Sequence, residues 1–214
     1  METLTKLANC GIIPVVVTDR AEDAVPVANA LLAGGINVME ITLRTPEALD
    51  AILQVAKNCP DMLVGAGTVL STQQCKDSIN AGAKFIVSPG LDTSVANICI
   101  TDKIPIVPGC VTPTEITQAL SLGLDIVKFF PSNVFGGINA IKALSAPFQN
   151  VKFIPTGGIN SGNLAEYISA PFIHAVGGSW ICTQSDIVNS RFDKITSLCR
   201  DAKVIIDKAR LKNI

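Results

Sequence analysis

The feature that most constrains this chain is a regular alternation. Eight short apolar runs, at 12–17, 37–43, 62–66, 84–88, 104–107, 125–129, 151–155 and 172–176, are separated by stretches of helical periodicity. Each run is rich in Val, Ile or Phe and nearly continuous. That is the pattern of strands buried on both faces, as in a parallel sheet covered by helices. Eight units in 214 residues leave about 27 residues apiece, close to the minimum for a strand, a helix and two loops. No linker or shift in composition divides the series. The expected architecture is α/β, a single (β/α)8 TIM barrel domain over residues 1–214, with a short N-terminal and a long C-terminal helix. An open doubly wound sheet is the alternative. Against it, Gly65-Ala66-Gly67 follows a strand, but Leu70 stands where the dinucleotide fingerprint needs its third glycine.

The intervening segments carry start and stop signals. Thr45-Pro46 places proline at the first position of a helix continued by Ala48, Leu49, Ile52, Leu53 and Ala56. Ser71 with Gln74 is a capping-box pattern, and Ala81-Gly82 ends the helix it opens. Pro26 interrupts a helical pattern over 19–33 and predicts a kink or a later start. Phe192, Ile195, Cys199, Ala202, Ile206 and Ala209 form one stripe on the last helix.

Composition then removes whole classes of function. Seventeen basic against 18 acidic residues leave no excess of positive charge for nucleic acid. A single histidine excludes His-rich zinc sites. With 48% hydrophobic and 16% charged residues, disorder is excluded. The apolar stretch 11–17 ends at Thr18-Asp19-Arg20, too short for a membrane span, and Met1 to Lys6 does not open like a secretory signal. Seven cysteines, an odd number without a CxxC, point to a reducing cytoplasm rather than a disulfide scaffold.

In a (β/α)8 barrel, chemistry sits at the C-terminal ends of the strands. Lys84 and Lys152 fall at strand starts, where a lysine reaches water. Lys128 falls late in its strand, within Ile126-Val127-Lys128-Phe129-Phe130. An unpaired ammonium there is costly, so the amine would tend to be neutral and nucleophilic toward carbonyls. A buried lysine paired with a carboxylate is the structural alternative. Glu40, Thr42 and Arg44 alternate along the second strand and share one face. Glu40 is the leading proton carrier. Arg44 could keep Lys128 neutral by repulsion and grip a substrate carboxylate. Strands seven and eight end in Thr156-Gly157-Gly158 and Gly177-Gly178-Ser179, where backbone N–H groups could hold a phosphate. His174, early in strand eight, reads as a core or bottom-face residue.

Together these residues resemble the 2-keto-3-deoxy-6-phosphogluconate / 4-hydroxy-2-oxoglutarate aldolase family. The likeness rests on Glu40-Ile41-Thr42-Leu43-Arg44-Thr45, Gly65-Ala66-Gly67-Thr68-Val69, Ser88-Pro89-Gly90, Pro108-Gly109, Lys128-Phe129-Phe130-Pro131, Pro155-Thr156-Gly157-Gly158-Ile159 and Gly177-Gly178-Ser179-Trp180, over about 11–199. It implies a class I lyase that cleaves a 2-keto acid to pyruvate and an aldehyde, without metal or other cofactor, usually as a homotrimer. Within it, Lys128 matches the Schiff-base lysine and Glu40 the acid–base glutamate. Arg44 and Thr68 match groups that hold the pyruvyl carboxylate, and Pro89 and Phe130 the pocket walls. Gly157, Gly158, Gly178 and Ser179 match the phosphate end. Many members read Ala-Glu after the lysine motif where this chain has Ser132-Asn133, which touches the choice of aldehyde. The rival readings are a phosphate-binding isomerase or synthase without a lysine imine, a pyridoxal-phosphate enzyme, and a non-catalytic oligomer.

Overall fold

The computed structural model describes residues 2–211. Its strands are β1 (Ile12–Val16), β2 (Val38–Thr42), β3 (Leu63–Gly67), β4 (Ile86–Val87), β5 (Ile106–Val107), β6 (Ile126–Phe129), β7 (Lys152–Pro155) and β8 (Val176–Gly178). Helices α1 (Glu2–Cys10), α2 (Ala24–Ala33), α3 (Ala48–Asn58), α4 (Thr72–Asn80), α5 (Thr93–Thr101), α6 (Pro113–Ser121), α7 (Gly137–Ser145), α8 (Leu164–Ser169), α9 (Gln184–Val188) and α10 (Phe192–Leu211) fill the intervals.

All ladder pairs are parallel. They form a six-stranded sheet, β5-β4-β3-β2-β1-β8, and a two-stranded one, β6-β7. Regular pairing is continuous from β8 to β5, with Glu40 opposite both Val15 and Gly65. Single bridges link the two sheets, Gly109 to Lys128 on one side and Thr156 to Gly177 on the other, and a further bridge pairs Phe153 with Ile173 ahead of β8. The chain is thus an α/β protein whose parallel strands curl with helices outside them, and its ladder is interrupted at these two seams.

The seams have local causes. At Gly109 a side chain would collide with the Pro89 carbonyl, so β5 ends against the turn that follows β4. At Gly177 a Cβ would overlap Thr156 Oγ1. Expected strand eight, 172–176, is displaced: β8 begins where that run ends. Phe172 and His174 are instead engaged by Phe153, whose N–H donates to Phe172 O while His174 N donates to Phe153 O. β4 and β5 shrink to two residues each, shorter than the apolar runs at 84–88 and 104–107. Beyond β4, the Ser88 hydroxyl donates to Gly90 O and turns the chain out of the ladder.

Most helix signals fall where the sequence puts them. Ser71 accepts from Gln74 N, but the Gln74 side chain returns to Leu70 N, one residue before the cap. Gly82, at φ +104°, closes that helix. Pro26 sits in the first turn of α2, so the later start is what occurs. Thr45-Pro46 does not open α3, which starts at Ala48; the Thr45 hydroxyl donates instead to Thr18 O, tying the turn after β2 to the turn after β1. Along α10, Ile195, Cys199, Ala202, Ile206 and Ala209 are buried. Gly34 lets this helix approach α2 so closely that a Cβ would meet the Thr196 carbonyl at 2.9 Å.

Phe85, Phe129 and Phe153 lie in the core with Ile12, Ile13, Met39 and Ile41, each burial stabilising by roughly 1.5–3 kcal/mol. All seven cysteines are buried and unpaired by disulfides. No described helix is long and apolar enough to cross a membrane. His174 Nε2 meets Leu4 O at 2.9 Å, tying the segment before β8 to α1, which lies against the strand starts.

Candidate active site

The middle of β2 and the C-terminal half of β6 bring the two leading candidates together. Lys128 Nζ lies 3.4 Å from Glu40 Oε1, and both side chains are almost wholly buried. Lys128 is therefore paired with a carboxylate. The unpaired amine expected from the sequence is corrected: burial is balanced here by an ion pair, the alternative that the sequence left open. At 3.4 Å the contact is long for a charge-assisted bond, so the two groups are adjacent without being locked. The Lys128 Nζ also stands 5.2 Å from the centre of the Phe130 ring, within range of a cation–π attraction.

Glu40 reaches this position because β3 offers no side chain in its way. A Cβ on Gly67 would fall 2.6 Å from Glu40 Cδ. Gly67 is followed at once by Thr68, which is held at φ +59°. A β-branched residue in the left-handed region is strained, and such strain persists where surrounding structure dictates it, often at functional sites. Thr68 therefore lies at the end of the strand whose last residue accommodates the acid.

Arg44 does not share a buried face with Glu40. It is exposed, in the turn after β2, and forms no ion pair with the described acids. It lines a cavity of about 320 Å³ together with Phe130, Thr156, Gly157, Ser179 and Gln184. This cavity joins the expected carboxylate-binding arginine to the expected phosphate end, with Phe130 linking it to Lys128. Gly157 and Gly158 adopt φ +95° and +75°, conformations that glycine permits. Gly178 is buried at the end of β8 and Ser179 is exposed just beyond it. Pro89 is half-buried after β4, its carbonyl against Gly109, and does not line the cavity.

Two site-forming features escape the sequence argument. Thr156 is buried and lines the cavity beside Gly157; its place in a strand-end Thr-Gly-Gly was the available signal. Ser132 Oγ and Tyr167 Oη are buried 3.2 Å apart, fastening the loop after β6 to α8, and nothing in the sequence pairs residues so far apart. A larger cavity of about 440 Å³ opens at the opposite, strand-start end, beside Lys6, Lys84 and Lys103, and holds none of the candidates. Among the described residues, no group of three or more His, Cys, Asp or Glu is placed to hold a metal ion.

Comparison with known proteins gives a consistent answer. The family model described as KDPG and KHG aldolase matches residues 3–198. A 2-dehydro-3-deoxy-phosphogluconate aldolase of Treponema pallidum is 45% identical over 91% of this chain and 93% of its own. A KHG/KDPG aldolase of Escherichia coli strain K12 is 42% identical over 89% of this chain and 90% of its own. The solved KDPG aldolase of Legionella pneumophila, which captured pyruvate as a covalent carbinolamine intermediate, superposes with a TM-score of 0.91 at 42% identity, covering 94% of this chain and 98% of its own.

Proposed function

The chain belongs to the KDPG and KHG aldolase family, and we propose that it is a class I aldolase in which Lys128 forms the imine and Glu40 moves the protons. Its substrate is 2-keto-3-deoxy-6-phosphogluconate, giving pyruvate and glyceraldehyde 3-phosphate, or 4-hydroxy-2-oxoglutarate, giving pyruvate and glyoxylate, or both. The observation that carries the reading is the buried Lys128–Glu40 pair at 3.4 Å.

The proton that the Lys128 ammonium must lose before it attacks has an acceptor in reach, the Glu40 carboxylate. The freed amine adds to the C2 ketone, forming a C–N bond and a carbinolamine. Protonation of its hydroxyl by Glu40 expels water and leaves the imine cation. Glu40 then takes the C4 hydroxyl proton. The C3–C4 electron pair moves into the imine, the aldehyde departs, and an enamine remains. Glu40 returns the proton to C3, and water releases pyruvate and the lysine. The imine cation serves as the electron sink. Arg44, at the mouth, would bind the pyruvyl carboxylate, with Thr68 ordering that side and Pro89 and Phe130 as walls. Gly157, Gly158, Gly178 and Ser179 would hold a phosphate by backbone and hydroxyl donors.

We also read the two sheets and their bridges as one closed (β/α)8 domain, active as a homotrimer in the cytoplasm. The seven unpaired cysteines support a reducing compartment. Pyruvate release from each 2-keto acid, followed by coupled reduction to lactate, tests the assignment. The native chain should turn over at least one of them and Lys128→Ala neither. Equal turnover by both proteins would refute it.

A further inference from the structure

The loop after β6 is fastened to the turn after β7 by two backbone hydrogen bonds. Ser132 N donates to Thr156 O at 2.8 Å, and Asn133 N donates to Gly157 O at 3.3 Å. Gly137 N closes back on Ser132 O at 2.8 Å, and the Ser132 hydroxyl meets Tyr167 Oη. The side chain of Asn133 is thereby laid over Gly158. A Cβ on Gly158 would lie 2.6 Å from Asn133 Cγ and 3.1 Å from Nδ2. From the other side, Asn163 Nδ2 holds Gly158 O at 3.0 Å, so the glycine is clasped between two amides. The Asn163 amide is engaged. The exposed Asn133 amide has no hydrogen-bond partner among the described residues. Two N–H donors thus remain available beside the Gly157-Gly158 turn, whose Gly157 lines the same cavity as Arg44.

We propose that Asn133 is a specificity-determining residue of the aldehyde end, its side-chain amide donating to the phosphate oxygens of a phosphorylated aldehyde seated on Gly157 and Gly158. This rests on the aldolase reading above. A neutral amide suits the position for two reasons. It supplies donors without a carboxylate's repulsion of a dianion, and its anchored backbone holds those donors at small entropic cost. An aldehyde lacking the phosphate gains nothing from it.

The test is the condensation of pyruvate with glyceraldehyde 3-phosphate and with glyceraldehyde, measured for the native chain, Asn133→Ala and Asn133→Asp. The preference for the phosphorylated aldehyde, as a ratio of kcat/KM values, should fall about tenfold in N133A and about 100-fold in N133D, with glyceraldehyde turnover nearly unchanged. Equal losses on both aldehydes would show a merely structural role and overturn the inference, as would an unchanged ratio. Borohydride labelling of Lys128 by pyruvate alone separates the two levels. Labelled protein with an unchanged ratio refutes only the Asn133 assignment, whereas unlabelled native protein refutes the aldolase reading with it.

Discussion

Lys128 Nζ stands 3.4 Å from Glu40 Oε1, though the two residues are 88 apart in sequence and belong to different sheets. The other residues of β6 are apolar, and those of β2 are apolar except Thr42, so each charge is the single ionisable group of its strand. Replacing Glu40 with Gln keeps the shape and removes the proton acceptor. Glu40→Gln should lower kcat by about 10²- to 10⁴-fold, read by steady-state cleavage kinetics. A loss under threefold would remove Glu40 from the proton path.

Gly67 is the residue that gives the Glu40 carboxylate its room. Gly67→Ala should displace the acid and cost roughly 100-fold in kcat, since small misplacements of catalytic groups are expensive. Gly90 supplies the control, because a Cβ there would point into open space with nothing within 4 Å. Gly90→Ala should leave kcat near the native value. Equal kinetics in both variants would contradict this role for Gly67.

Arg44 is expected to act on binding. A lysine carries the charge but not the planar fork, so Arg44→Lys should raise the KM for the 2-keto acid about tenfold and alter kcat less. A change confined to kcat would place Arg44 elsewhere in the reaction.

The buried Ser132–Tyr167 pair concerns stability. Tyr167→Phe leaves the serine hydroxyl without this partner and should destabilise by about 1–3 kcal/mol in urea titrations. Ser132→Ala should behave alike, and the double variant should lose less than the two single losses combined. Strict additivity would show that the hydroxyls do not interact.

Burial depresses the His174 imidazole below its ordinary value of 6.5, an effect only partly offset by its bond to Leu4 O. The folded chain then resists a proton that the unfolded chain accepts. Stability should fall as pH drops below about 6.5 toward the folded-state value, and the contribution should be absent above it. His174→Gln should flatten this part of the profile. Urea midpoints of both proteins at about pH 7.5 and 5.5 would check it, and an equal change of midpoint in the two would refute the linkage.

How much of this was legible follows from the physics of each element. The eight apolar runs announced the strands because burial on both faces leaves a local signature. The ends of β4, β5 and β8 were less legible, since they depend on contacts such as Gly109 against Pro89 and Phe153 with Phe172, which join distant parts of the chain. The candidates Lys128 and Glu40 stood out because charge inside an apolar strand is costly. That they pair with each other was legible only as an alternative, a salt-bridge network among Lys128, Glu40 and Arg44, because the cost alone does not say what meets it. Arg44 looked like a third member of a buried face only while β2 was assumed to run past Thr42; the chain turns there, and Arg44 N bonds back to Thr42 O. The sequence marked Ser132-Asn133 and the Thr156-Gly157-Gly158 strand end, but the Ser132–Tyr167 pair and the seat of Asn133 on Gly158 became visible only when the loop after β6 was seen bonded to the turn after β7.

The central claim is that Lys128 bonds covalently to the 2-keto acid. Borohydride added to the protein with saturating pyruvate, followed by peptide mass spectrometry, tests it most directly. The account predicts one reduced pyruvyl adduct per chain, carried by the peptide containing Lys128 and lost in Lys128→Ala. Native protein recovered without an adduct, or with the adduct on another lysine, would contradict it.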